Sequence, residues 1–241
     1  MNTTIPAAFA AAVRRDPTTP LLTWYDDLSG DRTELSGATL DNWVSKTANL
    51  LLDGAGLGEG DGVAVLLPPH WQTAAVLLGV WAAGLSADLG EPQPVEALFT
   101  STEAVPAAEA WRTTDRYVTG LLPLAMPLRE VPAGYVDYVV DVRNYGDRFV
   151  ATRPVTDDDR ALAGPVELTH AGVCEAALER ADELGISAGD RVLFDTAGYP
   201  DPVDWLLAPL LAGASIVLCA HLDQAKLAAR VDAEKISVHL L

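Results

Sequence analysis

Cysteine, aromatic residues and basic charge are all scarce in this sequence. Two cysteines, Cys174 and Cys219, occur among 241 residues, too few for a disulfide framework and at no metal-site spacing. They fall inside an expected helix and an expected strand, which suits buried reduced thiols. Lys and Arg number 16 against 34 Asp and Glu, for a net charge of −18. Such a field repels nucleic acid, anionic membrane and free nucleotide alike. The basic residues are scattered rather than gathered into a patch, so neither a nucleic-acid nor a membrane partner is expected. No apolar run reaches the roughly 18 residues of a membrane helix, and Ala74 to Leu85 is too short to cross a bilayer. Met1 to Ala12 has no basic block ahead of an apolar one, so no signal peptide is expected and the location expected is cytoplasmic. There is no Gly-x-Ser-x-Gly elbow. The four histidines, at 70, 170, 221 and 239, show neither metal nor triad spacing.

What is present is apolar: 49% of the residues, with Ala and Leu dominant and aromatics at only 7%. That composition suits helices packed on a sheet within one large α/β domain, residues 1–241, with lobes placed at 1–150 and 151–241. The pattern predicts a hairpin from Leu21 to Leu35 around Gly30, then a helix from Ser36 to Leu51. Strands are expected at Val63–Leu67, Leu85–Leu89 and Leu98–Ser101, with a helix at His70–Ala83 and another beginning at Pro106. Tyr117–Leu122 and Tyr135–Val142 read as strands, with Pro123, Pro127 and Pro132 in the loops between them. Asp147–Asp159 reads as an exposed connector. The last third alternates a helix from Thr169 to Leu184, a strand at Arg191–Asp195, a helix at Pro202–Ala212 interrupted at Pro209, a strand at Ser215–Cys219, a helix at Leu222–Glu234 and a strand at Ile236–Leu241.

Two stretches of this chain repeat one another without gaps. GLGEGDGVAVLLPPHWQTAAVLLGVWAAGLSADL begins at Gly56, and GISAGDRVLFDTAGYPDPVDWLLAPLLAGASIVL begins at Gly185. They match at Gly60/Gly189, Asp61/Asp190, Val63/Val192, Leu77/Leu206, Gly84/Gly213 and Ser86/Ser215, among other positions. Each copy reads as strand, helix, strand, which implies parallel pairing through a right-handed crossover. The glycines precede the strand in each copy. A phosphate loop needs them between a strand and the helix after it, so they are read as helix-ending turns.

The same order resembles the N-terminal domain of the adenylate-forming superfamily: acyl- and aryl-CoA ligases, peptide-synthetase adenylation domains and luciferases. "Pro20-Leu-Leu-Thr" with "Glu34-Leu-Ser" looks like that family's opening hairpin, and "Gly60-Asp-Gly-Val-Ala-Val-Leu-Leu-Pro-Pro-His" like its "GDRVAVLLPN" strand. "Leu78-Gly-Val-Trp-Ala-Ala-Gly" looks like its "LGxxxAG" helix end, and "Leu168-Thr-His" like the "LTH" that follows its phosphate loop. "Gly189-Asp-Arg-Val-Leu" and "Leu210-Leu-Ala-Gly-Ala-Ser-Ile-Val-Leu" match as well. The resemblance implies an α/β fold of two related βαβ-containing lobes, with mainly parallel sheets flanked by helices. It covers nearly the whole chain but only the front of the family's fold.

The departures from the family decide the functional expectation. The family's phosphate loop is rich in Ser, Thr and Gly and ends in "PKG". Here the run is Asp157-Asp-Asp-Arg-Ala-Leu-Ala-Gly164-Pro165, with Gly164 at the lysine position, Arg160 as the only nearby cation and three carboxylates close by. The 241 residues contain no "YGxTE" segment, no "TGD" segment and no domain carrying the family's catalytic lysine. No histidine stands near Gly198-Tyr199-Pro200, where the family's aromatic-His pair falls. The expectation is a non-catalytic binding or interaction module with no catalytic residue, no cofactor and no metal. The alternatives are a split acyl-adenylating ligase completed by another chain, or a sensor of an acyl or nucleotide ligand. Thr169, His170, Asp195 and Tyr199 are the candidate binding residues. For His170 a capping or packing role is favoured. Asp88 and Asp195 sit at strand ends where such folds bind ligands, and helix capping or solvent exposure is the reading preferred for both. A homodimer or a protein partner is expected to cover any apolar surface, and the small-molecule ligand is unknown.

Overall fold

The duplicated stretch is duplicated in space. A computed structural model describes residues 4–164 and 167–241. Pro165 and Val166, within the segment compared with the phosphate loop, lie outside the described residues, as does the start of the Met1–Ala12 stretch.

Thr4 caps helix α1 (Ile5–Arg15), and a hairpin follows, β1 (Pro20–Asp26) and β2 (Arg32–Ser36). Ser36 accepts from the Thr39 backbone and starts α2 (Gly37–Asn49), which runs on into a wide turn at Leu50–Gly54. Then come β3 (Gly62–Leu66), α3 (Trp71–Ala82), β4 (Ser86–Asp88), β5 (Ala97–Ser101), the short α4 (Val105–Ala108) and β6 (Asp115–Thr119). Beyond them lie β7 (Val136–Asp137), α5 (Tyr138–Asp141), β8 (Arg160–Ala163), β9 (Leu168–Thr169) and α6 (His170–Glu183). The chain ends with β10 (Arg191–Asp195), a wide turn at Val203–Leu207 leading into α7 (Ala208–Ala212), β11 (Ser215–Ala220), α8 (Gln224–Glu234) and β12 (Val238–Leu240).

Seven strands form one sheet in the order β7-β6-β5-β3-β4-β8-β9, and five form the other in the order β12-β10-β11-β1-β2. All pairings are parallel except β1/β2 and β8/β9. The first copy of the repeat sits in the larger sheet and the second in the smaller, in the same register: Gly62 lies opposite Ser86, and Arg191 opposite Ser215. The turn chemistry is copied too. Asp61 accepts from the Gly58 backbone at 2.8 Å, as Asp190 does from Ser187 at 2.7 Å. Gly60 and Gly189 have φ of +85° and +89°, a region in which a side chain is strained. The strands of the two sheets interleave along the chain. β1 and β2 join β11, and β8 and β9 join β4, so the boundary between the sheets does not fall at residue 150.

Alternation within each strand separates the faces. Val63, Val65, Phe99 and Tyr117 of one sheet and Val192, Phe194, Ile216 and Leu218 of the other enter a single core with α1, α2, α3, α6 and α7. Ala64, Leu98 and Val118 face outward under Ala108 and Trp111, while Leu193, Val217 and Cys219 lie under α8. Both cysteines are buried and free, and burial pushes each thiol up to about 11. Helix α3 is buried from Trp71 through Trp81, as its all-round apolar sequence requires.

One expectation is corrected. Tyr135–Val142 is not one strand: Asp137 ends a two-residue strand and its carboxylate accepts from the Val139 and Val140 backbone, nucleating α5. The Asp147–Asp159 connector is followed at once by β8, which extends the larger sheet. The helix interrupted at Pro209 continues through its wide turn. Proline lacks an N–H and its ring crowds the carbonyl four residues back, which a widened turn relieves.

Candidate functional site

The parallel strands of both sheets end on a common cleft of about 710 Å³. Asp26 after β1, Pro68 to His70 after β3, and Ser101 to Glu103 after β5 contribute to its walls. So do Gly120 to Pro123 after β6, Asp195 to Ala197 after β10, and Ala220 to Leu222 after β11. Ligands of open parallel sheets bind at this edge, because there the loops diverge while the strands stay fixed. Leu121 and Leu124, within and next to that wall segment, hold φ of +53° and +54°, where non-glycine residues are strained.

His70 is 2% exposed and caps α3 by accepting the Gln72 N–H on Nδ1 at 3.1 Å. That bond places the ring proton on Nε2, which has no partner among the described residues. Burial lowers its pKa to about 3, so the imidazole is neutral. The Trp24 indole and the His70 ring meet nearly at right angles, 4.4 Å between centroids, and Trp24 Nε1 is also buried without a partner among the described residues. On the rim, Asp26 pairs with His221 at 2.8 Å. Asp195 Oδ1 accepts the Ala197 N–H at 3.1 Å.

The structure separates the four residues singled out from sequence. Asp195 lines the cleft. Tyr199 packs edge-on against Phe194, with centroids 5.6 Å apart, and its N–H donates to the Asp195 carbonyl. Thr169 caps α6 by accepting the Gly172 N–H at 3.2 Å. His170 is fully buried, its Nδ1 accepting the Ile5 N–H at 3.4 Å, and burial lowers its pKa to about 4. Asp88 is fully buried, and its Oδ1 accepts the Gly90 N–H at 2.9 Å, a turn-capping role. His70, Trp24 and Glu103 were not singled out. The signal that finds them is position: each is within, or a few residues beyond, the end of a parallel strand.

The described part of the segment compared with the phosphate loop holds β8, which pairs antiparallel with β9. Arg160 reaches across it, donating to the Gly60 carbonyl at 2.8 Å and pairing with Glu167 at 3.0 Å. It is not the only cation nearby, a second correction to the sequence reading. Arg153 grips Asp159 with two hydrogen bonds of 2.9 and 3.1 Å and pairs with Glu59 at 2.7 Å. The Arg153 guanidinium holds the Asp159 carboxyl down at about 2. Gly164, at φ +119°, faces the buried Asp88: a Cβ placed there would lie 3.3 Å from Asp88 Oδ1. No group of three or more His, Cys, Asp or Glu at metal-binding distance occurs among the described residues. No helix there is long and apolar enough to cross a membrane.

Known proteins resemble this chain in sequence and fold. The profile of the AMP-binding enzyme family matches residues 9–117. A TIGR03089 family protein of Mycobacterium tuberculosis is 40% identical over 247 residues, covering 97% of this chain and 98% of that protein. Among solved structures, the anthranilate CoA ligase AuaEII in complex with anthranoyl-AMP superposes with a TM-score of 0.70 at 17% identity, over 96% of this chain and 49% of that one. An acyl-CoA synthetase of Brucella canis gives a TM-score of 0.72 at 18% identity, over 96% of this chain and 46% of that one. A fatty acyl CoA synthetase of Mycobacterium tuberculosis gives 0.68 at 14% identity, over 98% and 49%. The chain therefore spans about half the length of these solved structures and nearly all of its mycobacterial relative. It belongs to the TIGR03089 family and carries, in short form, the N-terminal-domain fold of the adenylate-forming enzymes.

Proposed function

We propose that this chain is a binding module built on the ligase fold, one that holds a small molecule in the cleft between its sheets and does not adenylate it. The observation that carries this reading is the placement of Gly164 beside Asp88, whose Oδ1 would lie 3.3 Å from a Cβ at that glycine. Where the family places a lysine on the nucleotide's phosphates, this chain places a glycine against a buried carboxylate. The groups around it do not fit a triphosphate. Arg160 is committed to Gly60 and Glu167, and Arg153 to Asp159 and Glu59. Asp157 and Asp158 add negative charge beside them. Adenylation depends on positioning and neutralising phosphate charge, and among the described residues no Lys or Arg lines the cleft.

The test is ATP–pyrophosphate exchange across a broad panel of aliphatic, aromatic and amino acids, with calorimetric titration of magnesium–ATP and AMP in parallel. The expected result is no exchange and no saturable nucleotide binding. Exchange above background with any acid, by the chain alone, overturns the reading. So does tight nucleotide binding that Gly164→Asp abolishes.

A further inference from the structure

We infer that the cleft takes a small organic amine, with its ammonium group among the rim carboxylates and its apolar body against Trp24 and the Pro68, Leu121 and Leu122 wall. This rests on the reading of the cleft as a non-adenylating binding site and gives that site a ligand class.

Charge is the first ground. Asp26, Asp31, Glu103 and Asp195 line the cleft, and among the described residues no Lys or Arg does. Of the two histidines among the described lining residues, His70 is buried and neutral and His221 is hydrogen-bonded to Asp26. Glu103, Asp31 and Asp195 take part in no ion pair among the described residues, although cations neutralise Asp27, Asp159 and Glu234 elsewhere. Acidic residues around a concave, partly apolar wall focus negative potential into it. A carboxylic acid or a phosphate entering there meets like charge, whereas an ammonium group meets attraction.

The second ground is independent of charge. His70 and Trp24 both line the cleft, at 2% and 7% exposed, and each carries a ring N–H with no acceptor among the described residues. A buried donor without a partner costs about 1–3 kcal/mol. A ligand that brings a hydroxyl or carbonyl oxygen to these rings recovers part of that. His70 is neutral, so it offers a hydrogen-bond donor without a positive charge.

A metal ion is disfavoured as the cationic occupant, since no three potential ligands among the described residues come within metal-binding distance of one another. The carboxylates are spread around the rim, which suits an organic cation with a body between them.

The experiment uses three ligands that share a 4-hydroxyphenyl body: tyramine, tyrosol and 4-hydroxyphenylacetate. Each is titrated calorimetrically into the full chain at low salt, with melting temperature as a second readout. Tyramine is expected to bind saturably, tyrosol about tenfold more weakly and the acid not at all, tenfold being the effect of about 1.4 kcal/mol. Glu103→Gln and Asp195→Asn are each expected to weaken tyramine several-fold while leaving the melting temperature of the free chain in place. Raising the salt is expected to weaken it further. Preference for the acid, absence of tyramine binding at millimolar concentration, or binding indifferent to both substitutions overturns the inference. Binding of the acid without pyrophosphate exchange sinks the amine and spares the non-adenylating reading. Exchange activity sinks that reading itself.

Discussion

The N–H of Ile5 donates to Nδ1 of His170 across 3.4 Å of fully buried space, tying the start of α1 to the start of α6. The residue with the most suggestive sequence context, in the "Leu168-Thr-His" segment, is thus a link in the core. His170→Ala is expected to cost about 1–3 kcal/mol by stranding a buried donor, with further loss from the void. Urea denaturation measures it. Tyramine affinity is expected to stay put, because His170 does not line the cleft.

His70 and His170 give stability an acid edge well above the carboxylate range. Both are held neutral in the fold, at about 3 and about 4, below the ordinary value of 6.5. As pH falls through 6.5 the unfolded chain takes up these protons and the folded chain does not, so stability drops from there towards pH 4. Glu234 contributes lower down. Burial opposes its charge, but hydrogen bonds from Tyr25, Arg191 and Arg32 bring it to about 2, so its share is lost only as pH falls below its ordinary value of 4.5. Urea midpoints between pH 7.5 and 3.5 are expected to begin falling near 6.5 in the native chain. The His70→Gln/His170→Gln double variant is expected to begin lower.

Gly79 sets the approach of α3 to α2. A Cβ there would meet Thr47 Cβ at 2.6 Å and the Val44 carbonyl at 3.2 Å. Gly79→Ala forces two packed helices apart and is expected to destabilise by about 1–3 kcal/mol. Gly58→Ala, where a Cβ meets nothing within 4 Å, is the control and is expected to stay near neutral. Thermal melts of the two variants side by side decide it.

Arg230 fastens α8 to the smaller sheet. It makes two hydrogen bonds to Asp27, of 2.6 and 2.9 Å, and lies 4.2 Å from the Tyr25 ring centroid, with its side chain 7% and that of Asp27 4% exposed. Arg230→Ala leaves the buried Asp27 carboxylate with only the partly exposed Lys226 at 3.4 Å and the Asp223 N–H, and is expected to cost up to about 3–5 kcal/mol. Asp27→Leu with Arg230→Met is expected to cost less than Arg230→Ala alone, since neither charge is then orphaned. Equal destabilisation would mean that the pairing is not what the single variant loses.

Sequence alone determined the parts of this protein that repeat locally. The Gly60-Asp61 and Gly189-Asp190 turns, the strands beside them and the wholly apolar α3 follow from backbone conformation and burial, which act over a few residues. They fixed the α/β class and the family. Local pattern misread Tyr135–Val142, because Asp137 caps a helix only once Leu128 and the β6 edge are in place around it. It also left Arg153 unnoticed, because the pairing with Glu59 closes a gap of many residues. Only the tertiary structure decided the site. The cleft exists because six strand ends from two sheets meet, and His70, Glu103 and Asp195 become neighbours of one cavity through pairings that no spacing in the chain encodes.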